Sequence, residues 1–107
     1  MRKTIHRAAV GIDGPEKHML PRGARIVHVD TRNADGVEFW YEFEVSNWAN
    51  REIRVFQIHG TGHEFNGLGE YVGSVLTPET EDARRHLPRG ALVWHLYEYP
   101  YEEEQHG

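Results

Sequence analysis

The chain reads Leu20-Pro21-Arg22-Gly23-Ala24-Arg25-Ile26-Val27-His28-Val29, and it later repeats this phrase as Leu87-Pro88-Arg89-Gly90-Ala91-Leu92-Val93-Trp94-His95-Leu96. The two copies agree at six of ten positions. Each has proline second and glycine fourth in its first four residues, which is typical of a β-turn, and residues that favour strands follow. Both copies therefore predict a turn and then a strand. Alternation predicts that the two strands share one core, with Ile26 and Val93 inward at matched positions, on the faces that also carry Ala24 and His28, and Ala91 and His95.

The composition indicates one small domain, residues 1–107, without cysteine. A chain of this length buries roughly 60 to 68% of its unfolded surface, so it needs no disulfides. No apolar run resembles a signal peptide or a membrane span, so we expect no membrane partner. The lack of cysteine favours a cytoplasmic protein. The formal charge of −5 argues against broad nucleic-acid binding. Ten of the twelve cations are arginines, whose planar fork suits carboxylate or phosphate.

Alternating hydrophobicity and turn residues predict a succession of short strands. The clearest is 37–45, whose odd-numbered residues are apolar and whose even-numbered residues are glutamates and Trp40. Gly73 inside a strand suggests a β-bulge or a close backbone approach. The segment 77–86 has a capping threonine, an early proline, acids first and bases last, which predicts one short helix. The strands are predicted at 4–10, 17–20, 25–30, 37–45, 53–59, 71–76 and 91–99.

These elements predict an all-β fold, either a small antiparallel barrel or a two-layer sandwich of six to seven strands with one short helix. Residues 100–107 form an acidic tail after the last strand. Both faces of the strand 91–99 are apolar, Leu92, Trp94 and Leu96 on one side and Val93, Tyr97 and Tyr99 on the other. A lone small sheet buries only one face, so we expect a homo-oligomer.

Histidine is abundant, with eight in the chain, but no ordered metal-binding motif is present. The serines lie outside any nucleophile elbow. We therefore predict no catalytic residue, no metal and no cofactor. The most suggestive stretch is Gly60-Thr61-Gly62-His63, because two glycines around a threonine let backbone N–H groups turn inward and cradle an anion. A wide hairpin turn without a ligand is the alternative interpretation.

Three blocks resemble a family of small uncharacterised phage and prophage proteins: Gly60-Thr61-Gly62-His63, Tyr71-Val72-Gly73 and Val93-Trp94-His95. The resemblance covers most of the chain from Thr4 to Glu98. It implies a phage context and, for a phage-encoded protein, the host cell cytoplasm. Some small all-β phage proteins act as sponges that sequester nucleotide immune signals without cleaving them, so the resemblance also implies a role in immune evasion.

The sequence and the resemblance together predict a non-catalytic protein that binds a small phosphate-bearing ligand, such as a nucleotide-derived host signal. Gly60, Thr61, Gly62 and His63 would hold the phosphate, assisted by Arg22 or Arg89, and Trp40 or Trp94 would stack on a base. The first alternative is a minor virion or assembly protein whose aromatic residues contact other proteins. The second is a metal-dependent phosphodiesterase that uses the histidines.

Overall fold

Seven β-strands make up the part of the chain that the computed structural model describes, residues 1–32, 35–77 and 93–101. They are β1 Lys3–Gly11, β2 Glu16–Pro21, β3 Arg25–Asp30, β4 Gly36–Glu44, β5 Arg51–Gly60, β6 Glu70–Leu76 and β7 Val93–Tyr99. A single 3-10 turn, Val45–Asn47, leads from β4 towards β5. Among the described residues, no helix is long and apolar enough to span a bilayer.

The strands form two antiparallel sheets, ordered β1-β4-β3 and β2-β5-β7-β6. No described strand belongs to both sheets, and one apolar core lies between them, so the domain is a two-layer sandwich and the described strands do not close into a barrel. The predicted all-β class is confirmed, and the seven strands of the described residues agree with the predicted six to seven. The predicted helix at 77–86, except for Thr77, the second turn Leu87–Gly90 and most of the tail lie outside the described residues.

The centre of the core comes from the alternation predicted for β4. Val37, Phe39, Tyr41 and Phe43 are all buried, whereas the glutamates and Trp40 between them are half-buried on the outer face. Phe39 meets Phe56 of the opposite sheet at 4.7 Å between ring centroids, and both rings are fully buried. This pair joins the two layers directly. Aromatic side chains bury more apolar area than most others, so the two rings contribute strongly to the stability of the core.

The strand of the first repeated phrase contains a β-bulge at Val27 that the sequence did not predict. Ile26 is opposite Tyr41, but His28 is opposite Trp40, so Val27 is an extra residue and the alternation shifts by one. Ile26 and Val29 consequently both pack against the core. The prediction that Ile26 points inward is confirmed, whereas its extension to His28 is wrong, because the bulge moves His28 to the outer face.

The second copy of the repeated phrase, in β7, also departs from its prediction. Leu96 is fully buried opposite Ile58, and Trp94 packs against the core from the same face of β7. Val93 therefore lies on the outer face, half-buried, and its predicted inward orientation is wrong. Leucine and tryptophan offer more apolar area to the core than valine does, which favours the observed face.

Gly73 lies at the contact between the neighbouring edges of the two sheets. The pairing of β6 with β7 shifts register between Tyr71 and Gly73, so the predicted bulge is confirmed. A Cβ atom added at Gly73 would lie 2.9 Å from Cγ2 of Val29 in β3, closer than van der Waals contact permits. Glycine is required here because the backbone of one sheet rests on a side chain of the other.

Arg54 of β5 joins three segments at one end of the sandwich. Its Nε and Nη2 atoms donate to both carboxylate oxygens of Glu98, each at 2.7 Å, and Nη1 donates to the backbone oxygen of Ala24. Hydrogen bonding to Glu98 is the main cause that raises the pKa of Arg54. This bidentate geometry is the strong form of an ion pair, and both side chains are largely withdrawn from water.

Candidate functional site

A row of polar side chains crosses the outer face of the four-stranded sheet. His95 of β7 lies between His59 of β5 and Ser74 of β6, because both are its direct cross-strand partners. Side chains at such positions are about 5 Å apart on the same face, within reach of hydrogen bonds. The turn after β5 adds Thr61 beside the row. Four segments thus contribute to one cluster.

The cluster is connected by a chain of hydrogen bonds. Tyr71 Oη lies 2.7 Å from Ser74 Oγ, Ser74 Oγ lies 2.7 Å from His95 Nδ1, and His95 Nε2 lies 2.8 Å from Thr61 Oγ1. With a neutral imidazole, each of the four groups carries one donor hydrogen, and the three bonds use three of them. One donor hydrogen is left over, at one end of this series of hydrogen bonds. We call these four residues the relay.

His59 lies beside the relay but is buried, with 7% of its surface exposed. Its Nε2 atom is 2.6 Å from the hydroxyl of Tyr99. Burial, and then the nearby His95 and His63, lower the pKa of His59 below its ordinary value of 6.5. His59 is therefore a neutral imidazole under conditions in which exposed histidines begin to protonate.

The loop after β5 folds back over this face. Phe65 stacks on His59 with ring centroids 3.9 Å apart and planes 6° apart, and its ring is 5.0 Å from that of Tyr97. Further along, Gly69 lies against the ring of Tyr99, where a Cβ atom would come within 2.9 Å. The loop covers His59, whereas the relay remains exposed.

The predicted anion-binding turn is present at the end of β5, and part of its donor capacity is already used. The N–H of Thr61 donates to the backbone oxygen of Val93 at 3.3 Å, and that of His63 donates to Gly60 at 3.1 Å. Gly62 adopts a φ of 88°, the left-handed conformation that glycine permits. An anion at this turn would therefore rely mainly on the Thr61 hydroxyl and on the imidazole of His63, because both ring nitrogens of His95 are bonded within the relay.

The predicted arginines do not join this turn in the described part of the chain. Arg22 lies in the turn after β2, where its N–H donates to Asn50 just before β5 begins. The Gly60 turn follows the other end of β5, which has 10 residues and is about 30 Å long. Arg22 and the turn therefore lie at opposite ends of β5. Arg89 lies outside the described residues.

The two predicted stacking residues are on different sides of the molecule. Trp40 is on the outer face of the three-stranded sheet, next to His28 at 5.2 Å between ring centroids. Trp94 packs against the core, and its ring adjoins Gly60, where a Cβ atom would lie 3.0 Å from both Trp94 Cζ3 and His63 Nδ1. Trp94 can support the turn from beneath, whereas Trp40 lies far from it.

The sequence did not predict Ser74, Tyr71, Tyr97 or Phe65 as site residues. Their assembly depends on the pairing of β6 and β7, which no local pattern specifies. The sequence predicted His95 on the core-facing side of its strand, whereas the structure has it on the outer face together with Val93. Within residues 1–32, 35–77 and 93–101, no group of three histidine, aspartate or glutamate side chains is arranged to hold a metal ion.

The fold and the cluster define a class: a small two-sheet β-sandwich with a histidine and hydroxyl cluster on one outer face. No curated protein and no solved structure matches the chain. A family model does match, over residues 1–107, and the chain belongs to that family, described as a domain of unknown function, DUF7352.

Burial of His59 predicts a dependence of stability on pH. Above about pH 6.5 the residue is neutral in both the folded and the unfolded chain, so its burial carries no protonation cost. As the pH falls below this value, the unfolded chain takes up the proton first, because the folded pKa is lowered. The free energy of unfolding therefore decreases until the folded pKa is reached. Urea unfolding at about pH 7.5 and about pH 5.5 measures this decrease.

We expect His59→Gln to reduce the decrease, and His28→Gln, at an exposed histidine of the other sheet, to leave it as in the native chain. An identical pH response of the native chain and His59→Gln would contradict the prediction.

Proposed function

We propose that the protein binds a small phosphate-bearing ligand at the relay and the adjoining Gly60–His63 turn. The observation that carries the proposal is the hydrogen-bonded chain Tyr71, Ser74, His95 and Thr61, which is exposed and has one donor hydrogen more than its own bonds consume. Phosphate oxygens are acceptors only, so a relay with a spare donor complements them. The glycines of the turn leave room for close approach.

The proposal shifts the recognition of phosphate from arginine to hydroxyl and imidazole groups. Arg22 is at the far end of β5, and the guanidinium of Arg54 is bonded to Glu98 and Ala24.

The test uses sulfate, a dianion of the same tetrahedral shape as phosphate. We expect calorimetry to detect sulfate binding to the native chain. His95→Gln should weaken sulfate binding by about tenfold, since it removes the two hydrogen bonds, each worth about 0.5 to 1.5 kcal/mol, that hold the Ser74 and Thr61 hydroxyls in position. His28→Gln is the matched control and should bind like the native chain. Equal affinity in native and His95→Gln proteins would refute the proposed site.

A narrower proposal concerns the biological ligand. The resemblance to phage proteins remains a prediction, and it supports a nucleotide-derived immune signal that is sequestered without being cleaved. Calorimetry against cyclic and linear nucleotides, followed by recovery of the ligand from the denatured complex, tests this proposal. Intact recovery indicates a sponge, whereas an altered product indicates an enzyme.

A second candidate function, a minor virion or assembly protein, is favoured by apolar side chains around the same outer face. Leu68 is 74% exposed, Leu76 and Tyr71 are each 59% exposed, and Met19 is 53% exposed. A sheet face with this much apolar surface suits contact with another protein, including a second copy of the chain. The metal-dependent phosphodiesterase gains no support from the described histidines.

This second candidate predicts association through the outer face. We expect sedimentation velocity to show a species heavier than the 12.4 kDa monomer at high concentration. Replacing Leu76 by lysine should return the protein to the monomer, because a charge on a buried apolar interface is costly. Replacing Ile5, exposed on the other sheet, serves as the control. A concentration-independent monomer would contradict association.

A further inference from the structure

Phe65 is the aromatic contact that fixes an otherwise exposed loop. All residues from Thr61 to Leu68 are exposed, and Phe65 itself is 42% exposed even though its ring is stacked. The loop has glycines near both ends, Gly60 and Gly62 before Phe65, and Gly67 and Gly69 after it. Glycines lower the cost of changing the backbone path, so the segment can move by rotation near its ends.

The surface beneath Phe65 is a stacking platform. It consists of the face of the His59 ring, parallel to Phe65 at 3.9 Å, and the ring of Tyr97 at 5.0 Å. His59 is fixed by Tyr99, and Tyr97 is fixed from the other side by Tyr71 at 5.6 Å between ring centroids. Because its rings are held by neighbours other than Phe65, the platform does not need Phe65 to keep its shape.

The platform adjoins the relay. Tyr97 is two residues from His95 on the same face of β7, and His59 is the cross-strand partner of His95. Positions two apart on a strand are separated by about 7 Å, which matches the distance between the ring and the phosphate of a nucleoside monophosphate. A ligand could therefore place its phosphate at the relay and its ring where Phe65 now lies.

We propose that Phe65 occupies the position of a planar ring of the ligand, and that a purine displaces it on binding. This inference rests on the proposed function for the phosphate half of the ligand and adds an aromatic half that the platform recognises. It replaces Trp40 and Trp94 as the stacking surface with His59 and Tyr97. Every base has a π face, so such a platform accepts a nucleobase with little sequence preference.

The energetic consequence is competition between Phe65 and the ligand. The contact between two aromatic rings favours the closed position of Phe65 by a factor of about two to ten in the equilibrium constant. The native chain must lose this contact before the purine can stack, whereas Phe65→Ala has no such contact to lose. Phe65→Ala should therefore bind a purine nucleoside about two- to tenfold more tightly than the native chain.

The experiment titrates adenosine, which has no phosphate, into native and Phe65→Ala proteins and follows the ring resonances of His59 and Tyr97 by NMR. We expect both resonances to shift, with the tighter affinity in Phe65→Ala. Leu68→Ala, in the same loop but away from the platform, is the matched control and should bind like the native chain. Tyr97→Leu in the Phe65→Ala background should abolish the tighter binding of adenosine. Thermal melts of all variants confirm that the fold is retained.

Equal or weaker adenosine binding by Phe65→Ala, or shifts that do not involve His59 and Tyr97, would overturn the proposal. A sulfate titration of the same proteins reports separately on the relay. Sulfate binding without an adenosine effect leaves the phosphate site standing and refutes the stacking platform. An adenosine effect without sulfate binding supports the platform and refutes the proposed phosphate site.

Discussion

Replacing Phe56 by alanine should lower the free energy of unfolding by about 3 to 5 kcal/mol, the range found when a large core side chain leaves a cavity. Phe56 is fully buried and packs on Phe39 of the opposite sheet, so its removal leaves a cavity where the two layers meet. Small domains are stable by only about 5 to 15 kcal/mol, so this loss is a large share of the total, and the variant should unfold at a markedly lower urea concentration. Urea denaturation followed by far-ultraviolet circular dichroism measures the difference.

Phe65→Ala is the matched control for this substitution, since it removes the same atoms from an exposed loop. Its expected cost is about 1 kcal/mol, from one aromatic pair. Phe56→Leu should be intermediate because leucine fills part of the cavity. If Phe56→Ala and Phe65→Ala have equal stability, Phe56 does not connect the layers as the packing indicates.

Replacing Arg54 by methionine should cost about 2 kcal/mol, because it leaves the carboxylate of Glu98 without its bidentate partner and removes the bond to Ala24. This value is below the usual cost for a fully buried pair, since 25% of the Glu98 side chain remains exposed to water. The same urea assay applies. Removing both charges in Arg54→Met with Glu98→Gln should recover part of the loss.

The surface ion pair of Lys3 with Glu42 provides the comparison. Half of the Lys3 side chain is exposed, and Lys3→Met should change the urea midpoint far less than Arg54→Met does. The interpretation of Arg54 as a link between segments would fail if Arg54→Met were as mild as Lys3→Met, or if the double variant were no more stable than Arg54→Met alone.

The sequence predicted the elements whose signal is local. Strict alternation in 37–45 identified β4 and its buried face, and the turn residues of the first repeated phrase placed the start of β3 at Arg25. Gly73 marked a bulge because glycine inside a strand has few other roles. In each case, the residues that carry the signal are also those that adopt the conformation.

The remaining features depend on partners distant in the chain. The bulge at Val27 has no glycine to mark it, and it appears only in the pairing of β3 with β4. The choice of Leu96 over Val93 for the core depends on what faces β7 across the sandwich. The relay is the clearest case, since Ser74 and Thr61 meet His95 only through the order β5-β7-β6. The two copies of the repeated phrase are identical at six of ten positions, but their strands are not equivalent, because β3 and β7 belong to different sheets.

The alternation of strands between the sheets has a consequence for how the chain folds. β1 pairs with β4 in one sheet, and β2, which lies between them in sequence, pairs with β5 in the other. The two pairings interleave, so neither sheet is built from a continuous stretch of chain. Only the β3–β4 hairpin joins described partners through a short connection. Folding dominated by such non-local pairings is slow, on the order of milliseconds to seconds, and we expect both layers to form and melt in a single cooperative step.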